Sequence, residues 1–131
     1  MPFLDREIVN RIASAVATMP GLEVLFLFGS RARGDAHTRS DWDFAYLGAG
    51  IDAGQLHATL SLALGTDRVN VADLARSSGL LRARVARDGI VIVERTPNGA
   101  DAFRFEALSF WCDVGPILER DYEAILAELH G

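Results

Sequence analysis

The chain has 131 residues and a mass of 14.2 kDa; half of its residues are hydrophobic and 24% are charged. These proportions are typical of one globular domain over residues 1–131 and exclude a disordered chain. The 18 acidic residues outnumber the 13 basic ones, which argues against direct binding of nucleic acid because such binding depends on neutralised phosphates. Every basic residue is an arginine, so lysine-dependent chemistry such as Schiff-base formation is also excluded.

The sequence carries no pattern of an exported or membrane protein. Asp5 and Glu7 stand where a secretory signal would have basic residues, and the longest apolar run, Val24–Phe28, is too short to span a bilayer. The single cysteine, Cys112, stands in an apolar stretch and is expected to pack as a small hydrophobic residue. We therefore expect a cytoplasmic protein that does not bind a membrane.

The N-terminal half predicts one helix and two strands. Apolar residues recur at helical spacing at Ile8, Ile12, Val16 and Met19. Asp5 is the candidate N-cap of this helix. Leu22–Phe28 is almost continuously apolar, as expected for a central strand covered on both faces, and it runs into Gly29 and Ser30. In the second strand, Asp41–Leu47, carboxylates alternate with aromatic residues and therefore share one face.

The C-terminal half continues the alternation, which indicates an α/β domain. The predicted elements are a helix over 52–64, a strand over 68–74, a short helix ending at 88–89, a strand over 90–94, and two helices from residue 101 that Gly115 and Pro116 separate. The aromatic residues of these last helices are expected to cover the sheet, and they are Phe103, Phe110, Trp111 and Tyr122.

A run of arginines lies on or near the short helix. Arg82, Arg84 and Arg87 follow Arg76 and predict a solvated face, with an i,i+4 ion pair between Arg84 and Asp88. The same run would also suit an acidic partner, and the sequence leaves this choice open.

Two candidate parts of a phosphate-transfer site lie ten residues apart. Gly29 and Ser30, between a buried strand and a helix, let the backbone approach an anion and direct N–H groups, a hydroxyl and the helix dipole at it. Asp41 and Asp43 lie about 7 Å apart along one strand face and suit a hard cation such as Mg²⁺. Each part alone is more often a plain turn or a solvated pair, so the combination carries the prediction.

The stretch FGSRARGDAHTRSDWDF resembles the motif of minimal nucleotidyltransferases of the DNA polymerase beta-like superfamily. From about Leu22 to Tyr122 the chain is similar to one branch, the antitoxins paired with HEPN toxins, through the segments RVNVADL, SSGLLRARVARDGIVIVE and RFEALSFWCDVGPILERDY. The resemblance implies the nucleotidyltransferase fold, a central mixed sheet of about four strands flanked by helices with a helical C-terminus. It also implies transfer of AMP from Mg-ATP to a tyrosine hydroxyl of a HEPN ribonuclease toxin, which is thereby neutralised.

The resemblance also assigns the site residues. It makes Gly29 and Ser30 the phosphate-binding turn and Asp41 and Asp43 the ligands of two Mg²⁺ ions. Two further candidates for nucleotide or phosphate binding, Arg31 and Arg33, belong to the same motif. For both arginines a salt bridge or packing that holds the turn is the simpler interpretation, and for Arg33 contact with phosphate or with the partner stays equally open.

Asn70 stands where members of this family have a third catalytic aspartate. Its amide is neutral and cannot act as a base, so the ion that activates the nucleophile is held by less charge. Asp73 could replace it only through a bulge, because three residues along a strand it faces the other side. Two hypotheses follow: an adenylyltransferase that Asn70 impairs, or an inactive relative that neutralises its partner by binding.

Three further interpretations remain at this stage. A nucleotidyltransferase acting on a small molecule is less favoured, because such enzymes commonly carry an additional helical domain. His37 stands in the polar loop before the aspartate pair, where a proton-relay role is a minor alternative to a solvated position. The sheet edge or the C-terminal helices are expected to bind a partner or a second copy of the chain.

Overall fold

The computed structural model describes residues 4–35 and 40–130, except for the side chains of 115–119 and 121–130. Its helices are α1 (Arg6–Val16), α2 (Ser30–Arg33), α3 (Ala53–Leu64), α4 (Gly79–Asp88) and α5 (Gly99–His130), and its strands are β1 (Leu22–Phe28), β2 (Trp42–Gly48), β3 (Val69–Asp73) and β4 (Ile90–Glu94). A short 3-10 turn, Leu74–Arg76, follows β3. None of the helices in the described ranges combines the length and apolar character that crossing a bilayer requires.

The four strands form one mixed sheet in the order β3-β2-β1-β4. β1 pairs antiparallel with β2 and with β4, whereas β2 and β3 run parallel. The predicted mixed sheet of four strands is therefore confirmed, and the predicted strand boundaries differ from the observed ones by at most one residue. Parallel pairing of β2 and β3 requires a crossover, which α3 provides.

Helices cover both faces of the sheet, so its central strands are buried on both sides. On one face α1 and α3 pack over side chains that include Leu25, Leu27, Phe44 and Tyr46. On the other face α4 and α5 pack over a second set that includes Val24, Phe26 and Ala45. This arrangement explains why Leu22–Phe28 is apolar except at the exposed Glu23, because both sets of alternating side chains from Val24 onward enter a core.

Local side-chain caps explain where the helices begin. The Asp5 carboxylate accepts a hydrogen bond from the backbone N–H of Glu7 at the start of α1, which confirms the predicted cap. Asp52 and Ser78 cap α3 and α4 in the same way. The caps of α1 and α4 each satisfy one backbone donor that the first helical turn leaves without an intrahelical acceptor, and Asp52 satisfies two.

The C-terminal segment differs from the prediction. Instead of two helices separated at Gly115 and Pro116, the structure has the single helix α5 over Gly99–His130. A proline inside a helix removes one backbone hydrogen bond and bends the axis, but the turns on both sides retain theirs. The glycine-proline pair is therefore contained within one helix.

The aromatic residues of α5 divide into buried and exposed positions. Phe103 is buried against Phe26 of the sheet, as predicted. Phe110 is 52% exposed and Cys112 is exposed, so the predictions that these two side chains are buried are wrong. Phe110 lies over Gly79 at the start of α4 and so packs against a helix and not against the sheet. Tyr122 lies among the side chains outside the described set.

Candidate active site

Three neighbouring strands place the predicted site residues in one row across the sheet. Phe28, the last residue of β1, pairs with Asp43 of β2. Asp43 in turn pairs with Asn70 of β3. Gly29 follows Phe28 directly, so the Gly-Ser turn, the aspartate pair and Asn70 meet at the same end of the sheet.

Gly29 approaches Asp43 so closely that a side chain at this position would require the carboxylate to move. A Cβ atom at Gly29 would lie 2.4 Å from Oδ2 of Asp43. The backbone of Gly29 has φ 78° and ψ -158°, a combination that essentially only glycine adopts. The motif therefore requires glycine at this position for its contact with the carboxylate and for its conformation.

The turn after Gly29 forms a single helical turn. α2 contains four residues, and the N–H groups of Ala32 and Arg33 both donate to the carbonyl oxygen of Gly29. A helix this short has only a small dipole, so the predicted dipole contribution to anion binding is minor. What remains for an anion is the Ser30 hydroxyl and the backbone N–H that opens the turn.

Asn70 joins the two aspartates through its side-chain amide. Its Nδ2 donates hydrogen bonds of 3.0 Å to Oδ1 of Asp43 and 3.4 Å to Oδ2 of Asp41. Asp41 and Asn70 are exposed, whereas Asp43 is half-buried. Because one nitrogen reaches oxygens of both carboxylates, these oxygens converge on one point, as the ligands of a divalent cation must.

The charge of this cluster fits Mg²⁺ only in part. Two carboxylates suit a hard cation, and the amide oxygen of Asn70 would be a neutral third ligand after rotation of the side chain. Within the described ranges, no group of three His, Cys, Asp or Glu side chains has the arrangement of a metal site. The cluster is therefore one negative charge short of a three-aspartate centre.

Asp73 does not supply the missing carboxylate. It pairs with Tyr46 in the regular parallel ladder of β2 and β3, and so lies on the opposite face of the sheet from Asn70. Its side chain accepts a hydrogen bond of 3.0 Å from the N–H of Ala75 and caps the 3-10 turn. The ladder has no bulge here, so the hypothesis that Asp73 completes the metal ligands is wrong.

The two arginines of the motif have different surroundings. Nε and Nη2 of Arg31 donate to the carbonyl oxygen of Ser40 at 3.1 and 2.8 Å, and the guanidinium lies 4.1 Å from the ring centroid of Trp42. Burial lowers the pKa of Arg31, while nearby Asp41 raises it. Arg31 thus holds the loop that leads to the aspartates. Arg33 is half exposed and pairs with Asp35 at 3.4 Å.

A cleft of about 580 Å³ lies beside the row, between the end of β1 and α4. Residues of both walls line it, namely Phe28, Gly29, Ser30, Arg33, Asp43, Leu81, Arg84, Arg87 and Asp88. Asp43 belongs both to this lining and to the hydrogen-bonded cluster with Asn70. The cleft therefore unites most of the predicted residues, while Arg31, Asp41 and Asn70 lie outside its lining.

Arg84 and Arg87 line the cleft, whereas their sequence pattern predicts a solvated face or contact with an acidic partner. Asp88 bonds to Arg87, at 3.2 and 3.3 Å, so the predicted pair of Arg84 with Asp88 is wrong. No local motif marks these arginines, because their position depends on how α4 packs beside β1. The i,i+3 spacing, which puts both on one face of α4, was the only available signal. His37 lies outside the described residues.

Comparison with known proteins agrees with this geometry. A sequence profile described as polymerase beta, nucleotidyltransferase, matches residues 10–98. The chain belongs to this nucleotidyltransferase family. Within the family it is 31% identical over 118 residues to the protein adenylyltransferase MntA of Aphanizomenon flos-aquae (strain 2012/KM1/D3), covering 79% of this chain and 75% of that protein. The predicted similarity to the adenylyltransferase antitoxins of this family is thereby confirmed.

Solved structures of the family have the same fold. A crystal structure of a toxin-antitoxin with AMP-PNP matches with a TM-score of 0.73 and 27% identity, over 94% of this chain and 98% of that one. An MNT antitoxin in complex with a tri-AMPylated Shewanella oneidensis HEPN toxin matches with a TM-score of 0.69 and 24% identity, over 98% and 100% of the two chains. The nucleotidyltransferase fold therefore extends over nearly the whole chain.

Proposed function

We propose that this nucleotidyltransferase transfers AMP from Mg-ATP to a tyrosine hydroxyl of a partner HEPN toxin and thereby neutralises the toxin. The observation that carries the proposal is the position of Asp43, which belongs both to the cleft and to the carboxylate cluster with Asp41. The 31% identity to the protein adenylyltransferase MntA and the likeness to a toxin-antitoxin with AMP-PNP support the same class of reaction.

In this proposal the cleft holds the phosphates of ATP. Gly29 has no side chain between the backbone and the ligand. The Ser30 hydroxyl donates a hydrogen bond, and Arg33 adds a positive charge to the lining. Arg31 acts indirectly, since its hydrogen bonds to the Ser40 carbonyl hold the backbone directly before Asp41 in position.

Asp41, Asp43 and Asn70 would hold the two Mg²⁺ ions. When bound, the ions neutralise phosphate charge and lower the pKa of the attacking hydroxyl. Asp43 faces the cleft and Asp41 is exposed beside it, so the carboxylates would lie between the nucleotide and the acceptor. Asn70 contributes no charge, so the side of the cluster next to β3 binds its ion more weakly.

The acceptor tyrosine would approach from the exposed side, where Asp41 and Asn70 face solvent. Its oxygen bonds to the α-phosphorus of ATP while the bond from that phosphorus to the oxygen bridging to the β-phosphate breaks. Pyrophosphate leaves and the phenolic proton is released to solvent; the amide of Asn70 cannot act as its base. The chain itself supplies position and charge.

The test is to incubate the purified chain with ATP labelled at the α-phosphate, Mg²⁺ and the HEPN toxin encoded beside it. We expect label on a toxin tyrosine with the unmodified chain and none with Asp43→Ala. The matched acidic control Asp73→Asn lies on the other face of the sheet and should label the toxin at the unmodified rate. An unlabelled toxin, or equal labelling by Asp43→Ala, would contradict the proposal.

Asn70 favours a second candidate function, neutralisation of the toxin by binding alone. The amide bridges two carboxylates through hydrogen bonds and so stabilises the cluster without a metal. This function predicts that the chain inhibits the toxin ribonuclease equally with and without ATP, and that Asn70→Asp introduces or increases transfer. Efficient labelling by the unmodified chain with no gain in Asn70→Asp would eliminate this candidate.

A further inference from the structure

One wall of the cleft is a cationic face of α4. Leu81, Arg84, Arg87 and Asp88 all line the cleft and recur at spacings of three, three and one, so they lie on the same side of the helix. The Gly-Ser turn and Asp43 form the opposite wall. The motif FGSRARGDAHTRSDWDF supplies that opposite wall, whereas α4 belongs to the segment SSGLLRARVARDGIVIVE.

Neighbouring arginines of α4 differ in what they contact. Arg82 points away from the cleft, where it donates to the carbonyl of Leu74 and lies 5.1 Å from the ring centroid of Phe103. Arg84 is exposed and forms no ion pair within the described residues. Arg82 therefore has a structural role, whereas the charge of Arg84 remains available to a ligand in the cleft.

Charge is distributed unevenly between the two walls of the cleft. The wall with Asp43 joins the carboxylate cluster, while the α4 wall has Arg84 and Arg87 against the single carboxylate of Asp88. Asp88 bonds to both Nε and Nη2 of Arg87 and so neutralises part of that charge. A ligand that matches this pattern has one anionic group that binds a metal ion near Asp43 and further anionic groups that reach the arginines of α4.

We propose that Arg84 and Arg87 bind the β- and γ-phosphates of the nucleotide, with Arg84 as the stronger contact. This inference rests on the proposed function and extends it, because these residues would select a nucleoside triphosphate over a monophosphate and hold the pyrophosphate that departs. Guanidinium groups bind phosphate oxygens in pairs of hydrogen bonds, and in this chain without lysine arginine is the side chain that adds permanent positive charge to that of Mg²⁺.

The experiment compares binding of ATP, ADP and AMP to the full chain by calorimetry, in the presence of Mg²⁺ and no toxin. We expect Arg84→Ala to weaken ATP binding by about tenfold, equivalent to about 1.4 kcal/mol, and to leave AMP binding unchanged. Arg87→Ala should weaken ATP binding by less, because Asp88 already shares its charge. Inorganic triphosphate should compete with ATP on the unmodified chain and compete poorly on Arg84→Ala.

Arg11→Ala is the matched control, since it removes an equally exposed positive charge from α1, away from the cleft. It should leave ATP binding unchanged, and thermal unfolding should show that all three variants fold. Equal ATP binding by Arg84→Ala and the unmodified chain, or a parallel loss of ATP and AMP binding, would overturn the inference while leaving the proposed function intact. A chain that binds none of the three nucleotides would overturn both.

Discussion

The amide nitrogen of Asn70 lies 3.0 Å from Oδ1 of Asp43, on the neighbouring strand of a parallel pair. The same nitrogen reaches Asp41 at 3.4 Å, so a neutral donor occupies the position from which a third carboxylate would complete the cluster. The contact stabilises two adjacent negative charges in the absence of a cation. Compared with a third aspartate, the amide leaves the cluster with one negative charge fewer for attracting Mg²⁺.

Asn70→Asp should lower the stability of the chain without Mg²⁺ and increase the stabilisation that Mg²⁺ provides. Without Mg²⁺ the variant loses the amide hydrogen bonds and gains a third negative charge, so its free energy of unfolding should fall by about 1 kcal/mol. Mg²⁺ should raise its melting temperature more than that of the unmodified chain. Thermal unfolding with and without Mg²⁺ measures both effects, and identical Mg²⁺ responses in the two proteins would contradict the expectation.

Gly29→Ala should impair both folding and nucleotide binding. The new Cβ would meet Oδ2 of Asp43 at 2.4 Å, in a backbone conformation that costs about 1–3 kcal/mol for other residues. Gly65→Ala is the control, since Gly65 also has a positive φ, 70°, but no atom within 4 Å of the added Cβ. Both variants should lose stability in urea unfolding, and only Gly29→Ala should also lose ATP binding.

Arg31→Lys should lower stability although it keeps the positive charge. Lysine cannot make the paired hydrogen bonds of a guanidinium to the Ser40 carbonyl and stacks less well on Trp42, so we expect a loss of about 1 kcal/mol. Arg33→Lys is the matched substitution at an exposed ion pair and should change stability by less than about 0.5 kcal/mol. Urea unfolding measures both, and equal effects would refute this distinction.

Tyr46 should contribute to the loss of stability at alkaline pH. Burial, with a smaller effect of the nearby Asp73 carboxylate, raises the pKa of this phenol in the folded chain above its ordinary value near 10. Above about pH 10 the unfolded chain binds fewer protons than the folded one, so the free energy of unfolding falls as pH rises through the folded pKa.

The variant Tyr46→Phe removes this titration and should show a shallower decline above pH 10 in urea unfolding at stepped pH. Absorbance of the tyrosinate at high pH provides an independent measurement. An identical alkaline decline in Tyr46→Phe and the unmodified chain would contradict the assigned role.

Short-range patterns in the sequence were sufficient to predict the four strands and the shared face of Asp41 and Asp43, whereas Asn70 entered the site only through the family resemblance. Leu22–Phe28 and Ile90–Glu94 match the observed strands because each is a short run rich in apolar and branched residues, although most of β1 is buried and most of the edge strand β4 is only half-buried. The alternation of Asp41 and Asp43 with aromatic residues fixed which face each side chain takes, since a strand has a period of two.

Long-range packing decided the features that the sequence did not reveal. Arg84 and Arg87 line the cleft because α4 packs beside β1, a relationship with no local pattern. Phe110 has the helical spacing of a core residue, yet it lies over Gly79 of α4 and stays half exposed. The continuity of α5 through Pro116 likewise contradicted a local rule, because one lost hydrogen bond does not end a helix of 32 residues.

The position of Asn70 has a genetic consequence. Asparagine and aspartate codons differ at their first base alone, and the two side chains have nearly the same size and shape. Asn70 is exposed on an edge strand, where such a replacement disturbs no packing. A single base change therefore converts the site with two aspartates and Asn70 into one with three aspartates, or the reverse. Selection can move between the two sites without further changes in the domain.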